Sequence, residues 1–282
     1  MRCDSHVHVV GPLAGYPQLA TRTYLALPAS LDALSRRAAP SGIERFVIVQ
    51  PSFYGADNTV LLESLDALGP RGRGVAVIDP AQASKAMLDG YAARGVCGLR
   101  LNLYSPGKAS GARLARDFAE IADLARAMDW HVEVIAPIAI LAEAAGILER
   151  ADVTVVIDHY GVYGHSAPDA AVGRTLLDLL GLPHIWMKLS APYRVCDDPL
   201  NTRPDPAWLA AILDRARERC VWGSDWPHTP GHDAQHGPDV AGVYRPLDYH
   251  TLVDDFTRAL GSDELGQMIM SHNPARLYGF GD

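Results

Sequence analysis

The chain has 282 residues, 48% of them hydrophobic, with 25 Gly and 20 Pro, which suits one large α/β domain or two small ones. Its formal net charge of −8 argues against a broad nucleic-acid face, while a few local arginines still suffice for a small anionic ligand. No apolar run reaches the roughly 18 residues of a membrane span, and no signal-peptide pattern precedes the first predicted strand, so a cytoplasmic protein without a membrane partner is expected.

Short β-branched runs recur at 3–9, 45–50, 74–79, 96–103, 131–136, 153–158, 185–190 and 221–225. The first holds His6 and His8 two residues apart. In a strand such residues share a face, so both imidazoles converge while Val7 and Val9 bury opposite. Each imidazole needs a hydrogen-bond partner, a metal or a polar ligand, and the pair alone is also compatible with two satisfied histidines. Between the runs, 58–68, 112–128, 139–149 and 206–218 have helical composition. Apolar residues at 118, 121, 122, 124, 125 and 128 follow the helical period. Eight β–α alternations predict a single-domain (β/α)8 TIM-like barrel spanning 1–282. The competitor is a doubly wound open sheet, weakened because no G-x-G-x-x-G follows the first run.

A barrel gathers its chemistry where strands end. Those ends read His6/His8, Gln50, Asp79, Arg100/Asn102, His159, Lys188/Ser190 and Asp225, a polar mouth on an apolar tube. Taken singly, Asp79 before Pro80 reads as a turn former, Asp158 as a helix cap and Lys188 as a structural ion pair. Glu133 shares strand parity with His131 and Ile135 and points inward if the register allows. Tyr54, Tyr160 and Tyr193 follow strands and either line the pocket or pack beneath loops. His228, His232 and His236 lie in loop 226–249, a candidate wall of the pocket; exposed loop histidines and a second metal site are the two readings. Asp57-Asn58 reads as a helix N-cap, and Ser52 and Ser224 lack the setting of a serine nucleophile. Cys3, Cys97, Cys196 and Cys220 show no C-x-x-C spacing and read as reduced thiols.

The ordered set Asp4-Ser-His-Val-His8, Ile157-Asp-His-Tyr-Gly161 and Trp222-Gly-Ser-Asp-Trp-Pro-His228 resembles the amidohydrolase superfamily. Further matching segments at 47–58, 74–80, 98–102 and 273–278 carry the similarity over nearly the whole chain. It is similar above all to the branch of 2-pyrone-4,6-dicarboxylate lactonase and sugar-acid lactonases. The resemblance implies Asp225 as general base toward water. It implies His6, His8 and His159 as hydrogen-bond donors to the reacting carbonyl, or as ligands with Asp225 of one metal. Arg100 and Arg194 match positions that grip substrate carboxylates, a task for which a guanidinium fork is suited. Asn102, Gln50, Tyr54, Tyr160, Tyr193 and His228 are the further substrate-contact candidates. The pattern departs at Val162 and Pro106, where the pyrone dicarboxylate enzyme has arginines, with Lys108 near the second. A differently charged lactone, or a monoacid, fits the remaining arginines better.

The usual strand-4 and strand-5 metal ligands of the superfamily are replaced here by Arg100-Leu-Asn102 and Ile135-Ala-Pro137. The branch implies a reaction without cofactor; one zinc on His6, His8, His159 and Asp225 is the alternative. The expected activity is hydrolysis of a carboxylated pyrone-like, muconolactone-like or sugar-acid lactone, in a protein that is monomeric or homo-oligomeric. The competing readings are a metal-dependent decarboxylase of aromatic or related carboxylic acids, and a barrel that only binds a ligand. Binding alone has no need of a base at Asp225.

Overall fold

The structure, a computed structural model, describes residues 1–104, 110–231 and 237–281. Pro106, Lys108, His232 and His236 lie outside the described residues. Eight parallel strands follow one another in chain order: β1 (Arg2–Val7), β2 (Ile43–Val49), β3 (Gly72–Ala76), β4 (Val96–Asn102), β5 (His131–Ile135), β6 (Val155–Ile157), β7 (Ile185–Ser190) and β8 (Cys220–Gly223). The order never reverses, which removes the doubly wound alternative. The last strand returns to the first through the Val7–Trp226 bridge, with Asp225 N donating to His6 O at 2.9 Å and His8 N to Trp226 O at 2.8 Å. The (β/α)8 barrel is therefore closed by the two segments that carry His6, His8 and Asp225.

Helices α1 (Leu31–Ala38), α2 (Thr59–Leu68), α3 (Lys85–Ala93), α4 (Gly111–Met128), α5 (Ile138–Glu143), α6 (Ala145–Glu149), α7 (Ala171–Leu180), α8 (Pro206–Ala216) and α9 (Tyr249–Leu260) lie between or after the strands. The stretch read as one helix over 139–149 is two, because Ala144 leaves helical geometry at φ −94°, ψ 4°. Asn58 does stand at the cap of α2, but Asp57 supplies the capping oxygen, accepting from Thr59 N at 3.1 Å. None of the described helices is long and apolar enough to cross a membrane.

Strand alternation sorts the core into two shells. Val47 and Val49 join Cys3, Val75, Val156, Trp186 and Val221 inside the barrel, while Phe46 and Ile48 pack outward among the helices. Tyr278 and Phe280 close the inner cluster from below. In β1 the register shifts between Asp4 and Val7. Cys3 faces the lumen and Asp4 faces out, accepting from Tyr249 Oη of α9 at 2.6 Å. The irregularity then returns His6 and His8 to the lumen, which strict alternation from Asp4 would not do.

Candidate active site

The lumen turns ionic one layer below its mouth. Lys188 of β7 is fully buried; its Nζ donates to Glu133 of β5 and to His6 Nδ1 at 3.2 Å, and lies 3.6 Å from Asp158 Oδ1. Burial and Asp158 oppose ionisation of Glu133, yet Lys188, His131 and His6 together hold its carboxyl below the ordinary value. Asp158 also stands 3.9 Å from Arg100 Nη2. The inward parity of Glu133 and the ion pairing of Lys188 are thus as expected. Asp158 does stand at the N-cap of the 159–161 turn, but its side chain makes no capping bond and sits in the lumen as a counter-charge instead. Asp79 does form a turn, accepting from Ala81 N at 3.0 Å.

Above this layer three imidazoles face one carboxylate. Asp225 Oδ1 lies 3.5 Å from His8 Nε2, 3.6 Å from His6 Nε2 and 3.9 Å from His159 Nε2. The other ring nitrogens are anchored. His8 Nδ1 is 2.7 Å from the Val49 carbonyl, to which only an N–H can donate, so His8 Nε2 presents a lone pair. His159 Nδ1 lies 2.8 Å from Ser190 Oγ. Asp225 Oδ2 accepts from Tyr193 Oη and from Arg194 Nε, each at 2.7 Å. Asp225 Oδ1 and His6 Nε2 are buried with no hydrogen-bond partner among the described residues.

Electrostatics set the protonation states. Burial opposes a charge on Asp225, but Arg194, His159, His8 and His6 outweigh it and hold the carboxyl well below its usual range. Burial keeps His6 neutral well below its ordinary value and brings His159 down to about 4. Asp225 and His159 take positive φ of 59° and 49°, a left-handed turn at each strand end that costs a non-glycine residue and aims the side chain across the lumen. Gly223 makes room: a Cβ there would stand 2.6 Å from His6 Cβ.

The cleft over this floor is lined by His8, Arg100, Asn102, His159, Arg194 and Asp225 from the expected set, together with Tyr24, Phe53, Tyr104 and Thr229. The remaining candidates stand behind the wall. Gln50 spends its amide on the Gly55 and Asp57 carbonyls, and Tyr54 Oη accepts from Gly11 N at 3.1 Å. Tyr160 is buried in the outer core near Tyr163. His228 packs edge-on against Tyr193, with Nδ1 3.3 Å from its Oη, and is buried instead of solvent-exposed. Residues 3–280 match the pattern of the amidohydrolase family.

The chain belongs to the amidohydrolase family. This amidohydrolase is 30% identical over 278 residues to 4-sulfomuconolactone hydrolase of Rhizobium radiobacter, covering 98% of this chain and 89% of that protein. It is 29% identical over 277 residues to the 4-sulfomuconolactone hydrolase of Hydrogenophaga intermedia, covering 98% and 88%. Among solved structures, a candidate 2-pyrone-4,6-dicarboxylic acid hydrolase of Pseudomonas putida superposes with a TM-score of 0.81 at 26% identity, covering 100% of this chain and 98% of that one.

Sequence patterns alone do not mark Tyr24, Thr229, Tyr104 or the coupling of Arg194 to Asp225. Tyr24 and Thr229 come from loops without periodic signal. Lys188, Glu133 and Asp158 are findable together, since each has inward parity on its strand.

Proposed function

We propose that this amidohydrolase opens a lactone ring, with Asp225 as general base. The observation that carries the reading is the unpartnered Oδ1 of Asp225, ionised and ringed by three imidazoles at the floor of a cleft bearing two arginines. Asp225 takes a proton from water as the water oxygen attacks the lactone carbonyl. His6 and His159 donate to the carbonyl oxygen as negative charge develops there. The ring C–O bond then breaks, and the proton held by Asp225 passes to the departing ring oxygen. Arg194 orients the base through its Nε and, with Arg100, draws an anionic lactone into the cleft. The lactone-hydrolase names of the relatives support the same substrate class.

The donor set also fits a divalent cation. His6, His8 and Asp225 offer ligand atoms within 4.8 Å of one another, two of them buried and unpartnered, and the Val49 carbonyl directs the His8 Nε2 lone pair inward. Such a cation, when bound, supplies carbonyl polarisation and a more acidic water. The two uses of His6 exclude each other. While Lys188 donates to Nδ1, the ring proton belongs on Nε2; as a ligand His6 needs that proton on Nδ1, 3.4 Å from Asp158 Oδ1 and 3.6 Å from Glu133 Oε1.

The test is a hydrolysis screen of pyrone, muconolactone-type and sugar-acid lactones, with and without chelator, coupled to metal analysis. Turnover of an anionic lactone is expected. No turnover in either direction, alongside stoichiometric zinc and carbon dioxide release from an aromatic acid, would replace the lactonase reading with the decarboxylase one.

A further inference from the structure

Among the described residues, the lysine and arginine side chains around the cleft pair with carboxylates, with one left over. Lys188 and Arg100 face Glu133 and Asp158, and Arg194 faces Asp225. Arg245, in the chain after β8, is the remaining cation. Among the described residues it forms no ion pair, and its buried Nε has no acceptor. Its guanidinium carbon lies 4.8 Å from the ring centroid of Tyr193, and its Nη1 donates to the Thr229 carbonyl. Arg194 reaches the same residue, Nη2 lying 2.7 Å from Thr229 Oγ1 and 3.4 Å from Thr229 O.

Two guanidinium groups therefore converge on one cleft-lining residue while the carboxylate beside them, Asp225, pairs with Arg194 alone. Like charges held together in a partly buried site repel unless a counter-charge joins them. Burial and the nearby Arg194 indeed push the Arg245 pKa down. The backbone holds Arg245 in place regardless, its N donating to His228 O at 2.9 Å.

We propose that Arg194 and Arg245 form an anion subsite at Thr229, with Arg245 as a specificity-determining residue that takes the anionic substituent of the substrate, a carboxylate or a sulfonate. The inference rests on the lactonase reading and adds which substituent is read and by what. Arg194 is shared between base and substrate; Arg245 makes no direct bond to Asp225, so its main effect follows the charge of the substituent.

The experiment compares wild type, Arg245→Met and Arg245→Lys on muconolactone, its sulfonated analogue and its methyl ester, following ring opening. Arg245→Met is expected to lower kcat/KM for the two anionic lactones by roughly 10- to 100-fold, mainly through KM, with a much smaller loss on the ester and partial recovery in Arg245→Lys. A loss on the carboxylate alone, or on the sulfonate alone, names the group the subsite takes. Equal losses on anionic and neutral lactones, or none, overturn the subsite. Binding of citrate, titrated calorimetrically to the same proteins, separates this inference from its parent. If wild type opens no lactone, the lactonase reading falls, and the subsite stands or falls on whether Arg245→Met weakens citrate.

Discussion

At the scale of single residues, Asp225 and its partners make the sharpest expectations. Asp225→Asn keeps shape and can keep the bonds from Tyr193 and Arg194 but cannot accept a proton, so kcat should fall by roughly 10²–10⁴-fold in a protein that still folds. A variant retaining half of wild-type kcat would remove Asp225 from the role of base. Arg194→Ala should damage anionic and neutral lactones alike, with an added loss on the anionic ones, because the same side chain bonds Asp225, the proposed base, and lines the cleft. Steady-state kcat/KM on a charged and an uncharged lactone reads both parts. The His pair and Asp225 are legible in the sequence, since ionisable groups at the ends of apolar strands have few other uses. The double duty of Arg194 is not, because nothing in the sequence links position 194 to 225.

At the scale of elements, the strands deliver these side chains through departures from regularity. The shifted register of β1 puts Asp4 against α9 and His6 in the lumen, and Gly223 on the neighbouring β8 leaves the space that His6 fills. Gly223→Ala would place a methyl group 2.6 Å from His6 Cβ. The expected result is a folded barrel, destabilised by about 1–3 kcal/mol, that has lost most of its kcat because His6 is displaced. Circular dichroism melts with kinetics on the same preparation check it; full activity would show that β1 can shift without cost. Gly98 on β4 plays the matching part lower down, since a Cβ there would stand 2.4 Å from the His131 ring. Strand positions follow from hydrophobic runs to within a few residues, but bulges and pockets for rings depend on the neighbouring strand.

At the scale of the whole molecule, the buried ions make stability depend on completeness. Lys188 touches residues from β1, β5 and the end of β6, so Lys188→Met leaves Glu133 buried without its cation and Asp158 with Arg100 alone. A loss of about 3–5 kcal/mol in urea unfolding is expected, with part regained in Lys188→Met/Glu133→Gln. Acid should weaken the fold in a defined window. His159 and His228 have pKa values near 4 in the fold, lowered by burial from an ordinary 6.5, so the unfolded chain binds more protons between those values. Their contribution is complete above pH 6.5 and is lost as pH falls toward 4, on the order of 1.4 kcal/mol for each pH unit that separates the folded from the unfolded value. Asp4 acts oppositely: burial raises it from 3.8 to about 6, so the folded chain binds more protons there and part of the loss is offset. Unfolding midpoints of chelator-treated protein between pH 4 and 7 test the sum, and a midpoint that rises on acidification would contradict it.

The sequence by itself determined the barrel and which ionisable groups stand at its strand ends. Alternating runs of period two and helical stretches have one economical closure at this length, and His6, His8, His159 and Asp225 stand at fixed places on those strands. Tertiary structure alone decided who faces whom: Lys188 beneath His6, Arg194 on Asp225, Tyr160 and Gln50 drawn away from the cleft, and Arg245 set against Tyr193 and Thr229. The physical reason is range. Periodicity and turn chemistry act between neighbours in the chain, whereas a buried charge is defined by partners dozens to hundreds of residues away, and their convergence exists only once the sheet has closed.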